Sequence, residues 1–263
     1  MIETFPTPGP LTLSIRIPAG TVELEAAETD ETRVEVERLR GELAPDEVRV
    51  ELRDRGGRQE VMVHAERTGL LRRRDAKYRV SIRTPLGADV DLDVASADVA
   101  GNGTFGSVDV KTASGDVVFG EVQGAARVKT GSGDVELTAV GGEVRVDDAS
   151  GDVTVGEAGA DAIVRSASGS VAVGRAAGDV RVSTASGDVT VDSVARGAVH
   201  LMSASGDIEV GVRAGSKVFI DAKSMSGEMR SELEVTDSPP GSNGTNLELR
   251  AMTMSGDVTI KRA

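Results

Sequence analysis

The sequence predicts an all-β protein, a single-domain parallel β-solenoid with 18-residue coils of two short strands each. Three observations carry that prediction. A short phrase returns at a fixed interval: Ser96-Ala97-Asp98, Ser114-Gly115-Asp116, Ser132-Gly133-Asp134, Ser150-Gly151-Asp152, Ser168-Gly169-Ser170, Ser186-Gly187-Asp188 and Ser205-Gly206-Asp207. The serines stand 18, 18, 18, 18, 18 and 19 residues apart, and self-similarity at a constant period marks a repeat architecture. Apolar residues also keep fixed offsets from each serine. Val117, Phe119, Val122, Ala126 and Val128 in one copy are followed by Val135, Leu137, Val140, Val144, Val146 and Ala149 in the next. A spacing of two gives a strand one buried face. Finally, the inward positions are mostly Val, Ala and Ile, with Phe105, Phe119 and Phe219 as large fillers, which predicts a thin core between two close sheets.

A strand of three to five residues cannot bury its apolar face alone, so each coil is expected to stack on the next at about 4.8 Å. The general handedness of parallel crossovers predicts a right-handed coil. At each corner, Gly supplies a positive φ, and Ser and Asp bond to nearby backbone. These residues form the expected structural ladder: Ser114, Gly115, Asp116, Ser132, Gly133, Asp134, Ser150, Gly151, Asp152, Ser186, Gly187 and Asp188. Stacked aspartates repel, by roughly 0.8 kcal/mol per neighbouring pair in water, and backbone N–H donors are expected to offset this. A calcium ladder is the alternative, but the Gly-Gly-x-Gly-x-Asp phrase of calcium-binding β-rolls is absent.

In chain order, residues 1–87 alternate apolar and polar without the 18-residue period. Leu11 to Ile17, Val22 and Leu24, Val34 and Val36, Val48 to Leu52, Val61 and Val63, and Tyr78 to Ile82 mark strands, punctuated by residues such as Gly20, Gly56 and Gly57. Repeat stacks need an atypical end, so this segment reads as irregular opening coils forming an N-terminal cap, with a separate sandwich as the alternative. Residues 88–263 read as the regular solenoid. Within the cap, Arg72, Arg73 and Arg74 form a basic knot: a solvated loop, or a docking loop for an acidic partner. After Ser205 the interval stretches to Ser226 and then to Ser255, which predicts a continuing stack with a loop insertion near 236–246. The chain then ends on Val258 to Ala263, where an open strand edge predicts end-to-end self-association.

Charge narrows the choice of partners. The net charge is −13, and residues 91–263 hold 26 acids against 15 bases. Such a surface repels phosphate backbones, and with aromatics at 2% of the chain it lacks stacking platforms, so no nucleic-acid partner is expected. Lys111, Lys129 and Arg165 fall in one outward column and Arg127, Arg145 and Arg181 in another, interrupted by Asp109 and Asp147. These are ordinary solubilising charges, or a strip for an anionic partner such as an acidic glycan. With no cysteine, disulfides and thiol chemistry are excluded. No apolar run reaches membrane-spanning length, and Met1 to Pro10 lacks the features of a secretory signal. That predicts a cytoplasmic protein, with the cell surface as the alternative.

Catalytic signatures are sparse. His64 and His200 lie far apart in the chain, and no nucleophile elbow, phosphate loop or His-x-x-x-His pair occurs. Asp134 and Asp152 with Arg145 would be the candidates for a polysaccharide-acting solenoid, but repeated corners generate such groupings by themselves. The sequence therefore reads as non-enzymatic, with no cofactor and no metal. The recurring Ser-Gly-Asp-Val-x-Val phrase, the opening Phe5 to Pro10 before Leu11 to Ile17, and the closing Ser255 to Ile260 resemble the bacterial β-strand-repeat family of unknown function called "putative adhesin". Arg in excess of Lys, with abundant Ala, Gly and Val, is similar to actinobacterial members. The resemblance implies the solenoid fold and no established catalytic residues. The expected role is a scaffold or interaction module with an unidentified protein partner, the alternatives being adhesin-like binding of a glycan or protein, and then a polysaccharide-acting enzyme.

Overall fold

A computed structural model describes residues 1–41, 43–44, 47–65, 76–233 and 247–263. Arg72, Arg73 and Arg74 and the expected insertion near 236–246 lie outside the described residues. Every regular element among the described residues is a strand. The chain divides into two compact units, Met1–Asp134 and Val135–Ala263.

The first unit contains β1 (Ile2–Pro6), β2 (Leu11–Ala27), β3 (Glu31–Arg38), β4 (Val48–Arg55), β5 (Arg58–Ala65), β6 (Tyr78–Pro85), β7 (Asp89–Phe105), β8 (Val108–Ser114), β9 (Val117–Val122) and β10 (Ala126–Thr130). β2 and β7 are 17 residues long because each runs through a corner into the second sheet. They stack in parallel, with Leu13 on Val90, Ile15 on Leu92 and Val22 on Val99. Residues 11–27 thus already form a regular rung. No repeat announces it, because the neighbour on its other side comes from farther along the chain: β5 pairs with the first half of β2 and β6 with the second. Beyond these the pairing turns antiparallel, β4 on β5 and β3 on β6, with β1 on β3. β4 and β5 are joined by Gly56 and Gly57, both at positive φ, the requirement of a two-residue primed turn. The antiparallel strands cover the end of the parallel stack, as a terminal repeat must. On the opposite side β8 and β9 stack on the two halves of β7, and β10 follows on β8.

The core of this unit is aliphatic around one aromatic pair. Phe105 and Phe119 are fully buried and meet edge to face, with ring centroids 5.5 Å apart. Phe119 lies opposite Gly101, where an added Cβ would come within 2.4 Å of the ring. A large residue is accommodated in one rung because the facing position in the next is empty.

The second unit contains β11 (Val135–Val140), β12 (Val144–Asp147), β13 (Val153–Ala158), β14 (Ala162–Ser168), β15 (Val171–Ala176), β16 (Val180–Ser186), β17 (Val189–Val194), β18 (Gly197–Ser205), β19 (Ile208–Val212), β20 (Val218–Ser226), β21 (Met229–Ser231), β22 (Leu247–Ser255) and β23 (Val258–Arg262). Among the described residues all its pairings are parallel. One sheet runs β11–β13–β15–β17–β19–β23–β21 and the other β12–β14–β16–β18–β22–β20. Val135, Val153, Val171, Val189, Ile208 and Val258 stack in one buried column. Burial of each contributes roughly 1.5–3 kcal/mol.

Three expectations need correction. The stack does not continue in chain order after Ser205, since β22 and β23 insert beside β18 and β19 and leave β20 and β21 outermost. Among the described residues the open edge therefore lies on β20 and β21, while β23 is paired on both sides. The physical reason is apolar content. Leu247, Leu249, Ala251, Val258 and Ile260 are fully buried, whereas the equivalent positions of the outer rung include Ser231, opposite Ile260. Placing the weaker rung at the end leaves less apolar surface in water. Phe219 is not a core filler, because it pairs with outward Glu248 and is half-buried, while Val218 and Ile220 take the inward positions. Ala149 is exposed and Asp148 is buried instead.

Candidate functional site

The recurring corner is a ladder between rungs rather than a closed turn. In the first unit Asp116 N–H donates to Asp98 Oδ1 (3.2 Å) and Asp134 N–H to Asp116 Oδ1 (2.9 Å). In the second, Ser170 N–H donates to Asp152 Oδ1 (2.8 Å), Asp207 N–H to Asp188 Oδ1 (2.8 Å) and Asp257 N–H to Asp207 Oδ1 (2.7 Å). Each carboxylate thus accepts from the equivalent residue one rung away, which draws negative charge toward a donor and offsets the column's repulsion. The glycines are required twice over. Gly115, Gly133, Gly151 and Gly187 hold φ of 122°, 125°, 151° and 139°. A Cβ on Gly133 would lie 2.3 Å from the Gly115 carbonyl oxygen, and one on Gly187 2.1 Å from that of Gly169. The serines supply backbone to the same ladder, Gly115 N–H donating to Ser132 O and Gly187 N–H to Ser205 O. Ser150 pairs with Ser168 in an isolated parallel bridge, and Ser186 stacks on Ser205. Ser114 Oγ lies 3.0 Å from Ser96 Oγ.

The basic columns are interleaved with acid. In the first unit Lys111 pairs with Asp109 (3.7 Å), and Arg127 lies beside Asp109 in register while Lys129 lies beside Lys111. Arg127 and Lys129 make no ion pair among the described residues. In the second unit Arg145 and Arg165 both reach Asp147, at 3.3 and 3.2 Å, and Arg181 reaches Asp179 at 3.0 Å. The Arg145 and Arg181 column is broken by Ile163. A shallow depression of about 320 Å³ opens in the first unit, lined by Thr12, Arg58, Asp89, Asp91, Lys111 and Arg127 among others. Arg58 is ion-paired to Asp89 there, whose other oxygen accepts from Ser107 N–H at 2.7 Å.

Among the buried polar groups that the sequence did not reveal are two carboxylates. Glu47, 1% exposed, accepts from the Tyr78 hydroxyl at 2.6 Å and from Arg38 at 3.2 Å. Its nonrepeating surroundings gave no signal. Asp148 accepts from Ser150 N–H and from the Ser166 hydroxyl, at 3.1 and 3.2 Å. It heads a buried polar column of Ser166, Thr184, Ser203 and Thr253, and a Thr or Ser two places before each corner serine was the available clue. Thr184 shows what the column does, donating to the Ser186 carbonyl at 3.2 Å where the strand bends. His200 is half-buried between Arg181 and Arg250 in register.

The model of the family "Toastrack DUF4097" matches residues 11–261. The chain belongs to that family. The Toastrack match spans the antiparallel cap and both sets of stacked rungs. No curated protein matches the chain. Solved structures similar to it include a "putative adhesin" from Bacteroides fragilis, 13% identical over 100% of this chain and 96% of that one, with a TM-score of 0.46. A "putative adhesin" from Parabacteroides distasonis is 11% identical over 99% and 96%, with a TM-score of 0.35. A "putative cell adhesion protein" from Clostridium sporogenes is 10% identical over 100% and 99%, with a TM-score of 0.28. No helix is long and apolar enough to cross a membrane among the described residues.

Proposed function

We propose that this Toastrack chain is a non-catalytic scaffold or protein-interaction module, working in the cytoplasm on a protein partner. The observation that carries the reading is how the corner carboxylates are used. A general acid, base or nucleophile needs a carboxylate free to exchange a proton or to attack. Here Asp116, Asp152, Asp188 and Asp207 each hold a backbone N–H of the adjoining rung. Arg145 is committed to Asp147 in the same way. The corner chemistry goes into fixing rungs at a constant spacing, and what the fold offers outward is flat strand faces of mixed charge.

The test has two arms. Incubation with a panel of neutral and acidic polysaccharides is expected to generate no new chain ends; turnover that disappears in Asp152→Asn would overturn the non-catalytic reading. Fractionation of the native host, paired with a glycan array, is expected to leave the chain in the soluble cytoplasmic fraction with no glycan retained. Surface display together with a retained glycan would replace this reading with the adhesin-like one.

A further inference from the structure

The outer edge of β20 carries a self-complementary pattern. Strand residues alternate between facing a neighbour and facing away, and Lys217 O accepts from Leu247 N–H. The N–H and C=O groups of Ile220, Ala222 and Ser224 therefore turn to the side away from β22, where no strand pairs with β20 among the described residues. Open edges of this kind take up another strand readily. On the outward face of β20 the order is Phe219, Asp221, Lys223, Met225. If a second β20 is laid antiparallel with Ala222 opposite Ala222, each Asp221 faces a Lys223 and each Phe219 faces a Met225. Centring the pair on Asp221 or on Lys223 would instead set like charges together.

We propose that β20 pairs antiparallel with β20 of a second copy about a twofold axis at Ala222, closing a dimer. Three observations support the pairing. Asp221 and Lys223 are already ion-paired within the strand at 3.0 Å, so two such strands form a ring of four alternating charges. The exposed methionines collect beside the edge: Met225, 80% exposed, lies next to Met254, and Met252 stacks on Met202. Partner Phe219 would lie over the Met225 end of this patch, a favourable sulfur–aromatic contact. The half-buried Val218, Ile220 and Ala222 would also lose solvent exposure beside the added strand. Because the same patch serves both copies, the contact closes at two and does not propagate. Self-assembly through this edge is independent of any other partner the module takes.

Sedimentation equilibrium of the full chain across low- to high-micromolar concentrations is expected to move from one chain to two, with nothing larger. Asp221→Lys or Lys223→Asp alone sets like charges opposite each other at both crossings and is expected to weaken association roughly 10- to 30-fold, with the melting transition unchanged at concentrations where the wild type is itself a monomer. An equimolar mixture of the two variants restores opposite charges at both crossings and is expected to dimerise again, as is the double swap. A monomer throughout, species beyond two chains, or single swaps that associate as tightly as the wild type would each overturn the proposal.

Discussion

Replacing Gly187 by alanine tests the stacked-corner argument where two costs coincide. At φ 139°, a non-glycine residue is strained by about 1–3 kcal/mol. The added Cβ would also stand 2.1 Å from Gly169 O, 2.5 Å from Gly169 C and 3.1 Å from Ser170 N. All three are backbone atoms, so the rung itself has to move by about an ångström. That movement loosens the Gly187 N–H to Ser205 O bond of 2.9 Å and the Val189 N–H to Asp207 O bond of 2.8 Å, at about 0.5–1.5 kcal/mol each. The expected loss for Gly187→Ala is about 2–6 kcal/mol. Gly215→Ala in the same unit is the control: its φ is 85°, but nothing lies within 4 Å of the added Cβ, so only about 1–2 kcal/mol of backbone strain applies. Urea denaturation followed by far-UV circular dichroism reads both, with comparable slopes. Equal losses at the two glycines would refute the claim that close stacking, and not backbone conformation alone, demands glycine at the corner.

Val182→Asp, at a position 2% exposed, should cost at least 3 kcal/mol, because a carboxylate enters the core unpaired. Thr154→Asp, on the outward face, should stay within about 0.5 kcal/mol in the same denaturation assay; similar losses at both would reverse the assigned faces. At the corner, Asp188→Ala should cost about 1 kcal/mol through the orphaned Asp207 N–H, while Asp188→Asn keeps an acceptor oxygen and should be nearly neutral. Melting curves with and without a chelator should coincide for all three proteins, and a drop on chelation confined to the wild type would assign the ladder to a cation instead.

The 18-residue period and its alternating valines were enough to assign the rungs, their two strands and most inward positions. Translation by one period maps rung onto rung, so within each unit most pairings follow the local pattern, from Val90 to Val128 in the first and from Val135 to Val210 in the second. Errors arose where the pattern is read too literally. Ala149 looked apolar and therefore inward, but Asp148 carries the buried position because its oxygens meet the Ser150 N–H and the Ser166 hydroxyl. The ladder residues were legible as turn formers. Their inter-rung bonds were not, because a side chain's reach to a residue 18 positions away depends on the coil pitch.

By itself, the sequence determined that this chain builds interchangeable parallel rungs with small aliphatic interiors and glycine corners. Only the tertiary structure decided their order: β5 and β6 beyond β2, and β22 and β23 inside β20 and β21. Rungs of one period fit one another equally well locally, so no short window of sequence says which two are adjacent. The choice is made by total burial, which within the first unit lays an antiparallel cover over β5 and β6 and within the second leaves the least apolar rung outermost.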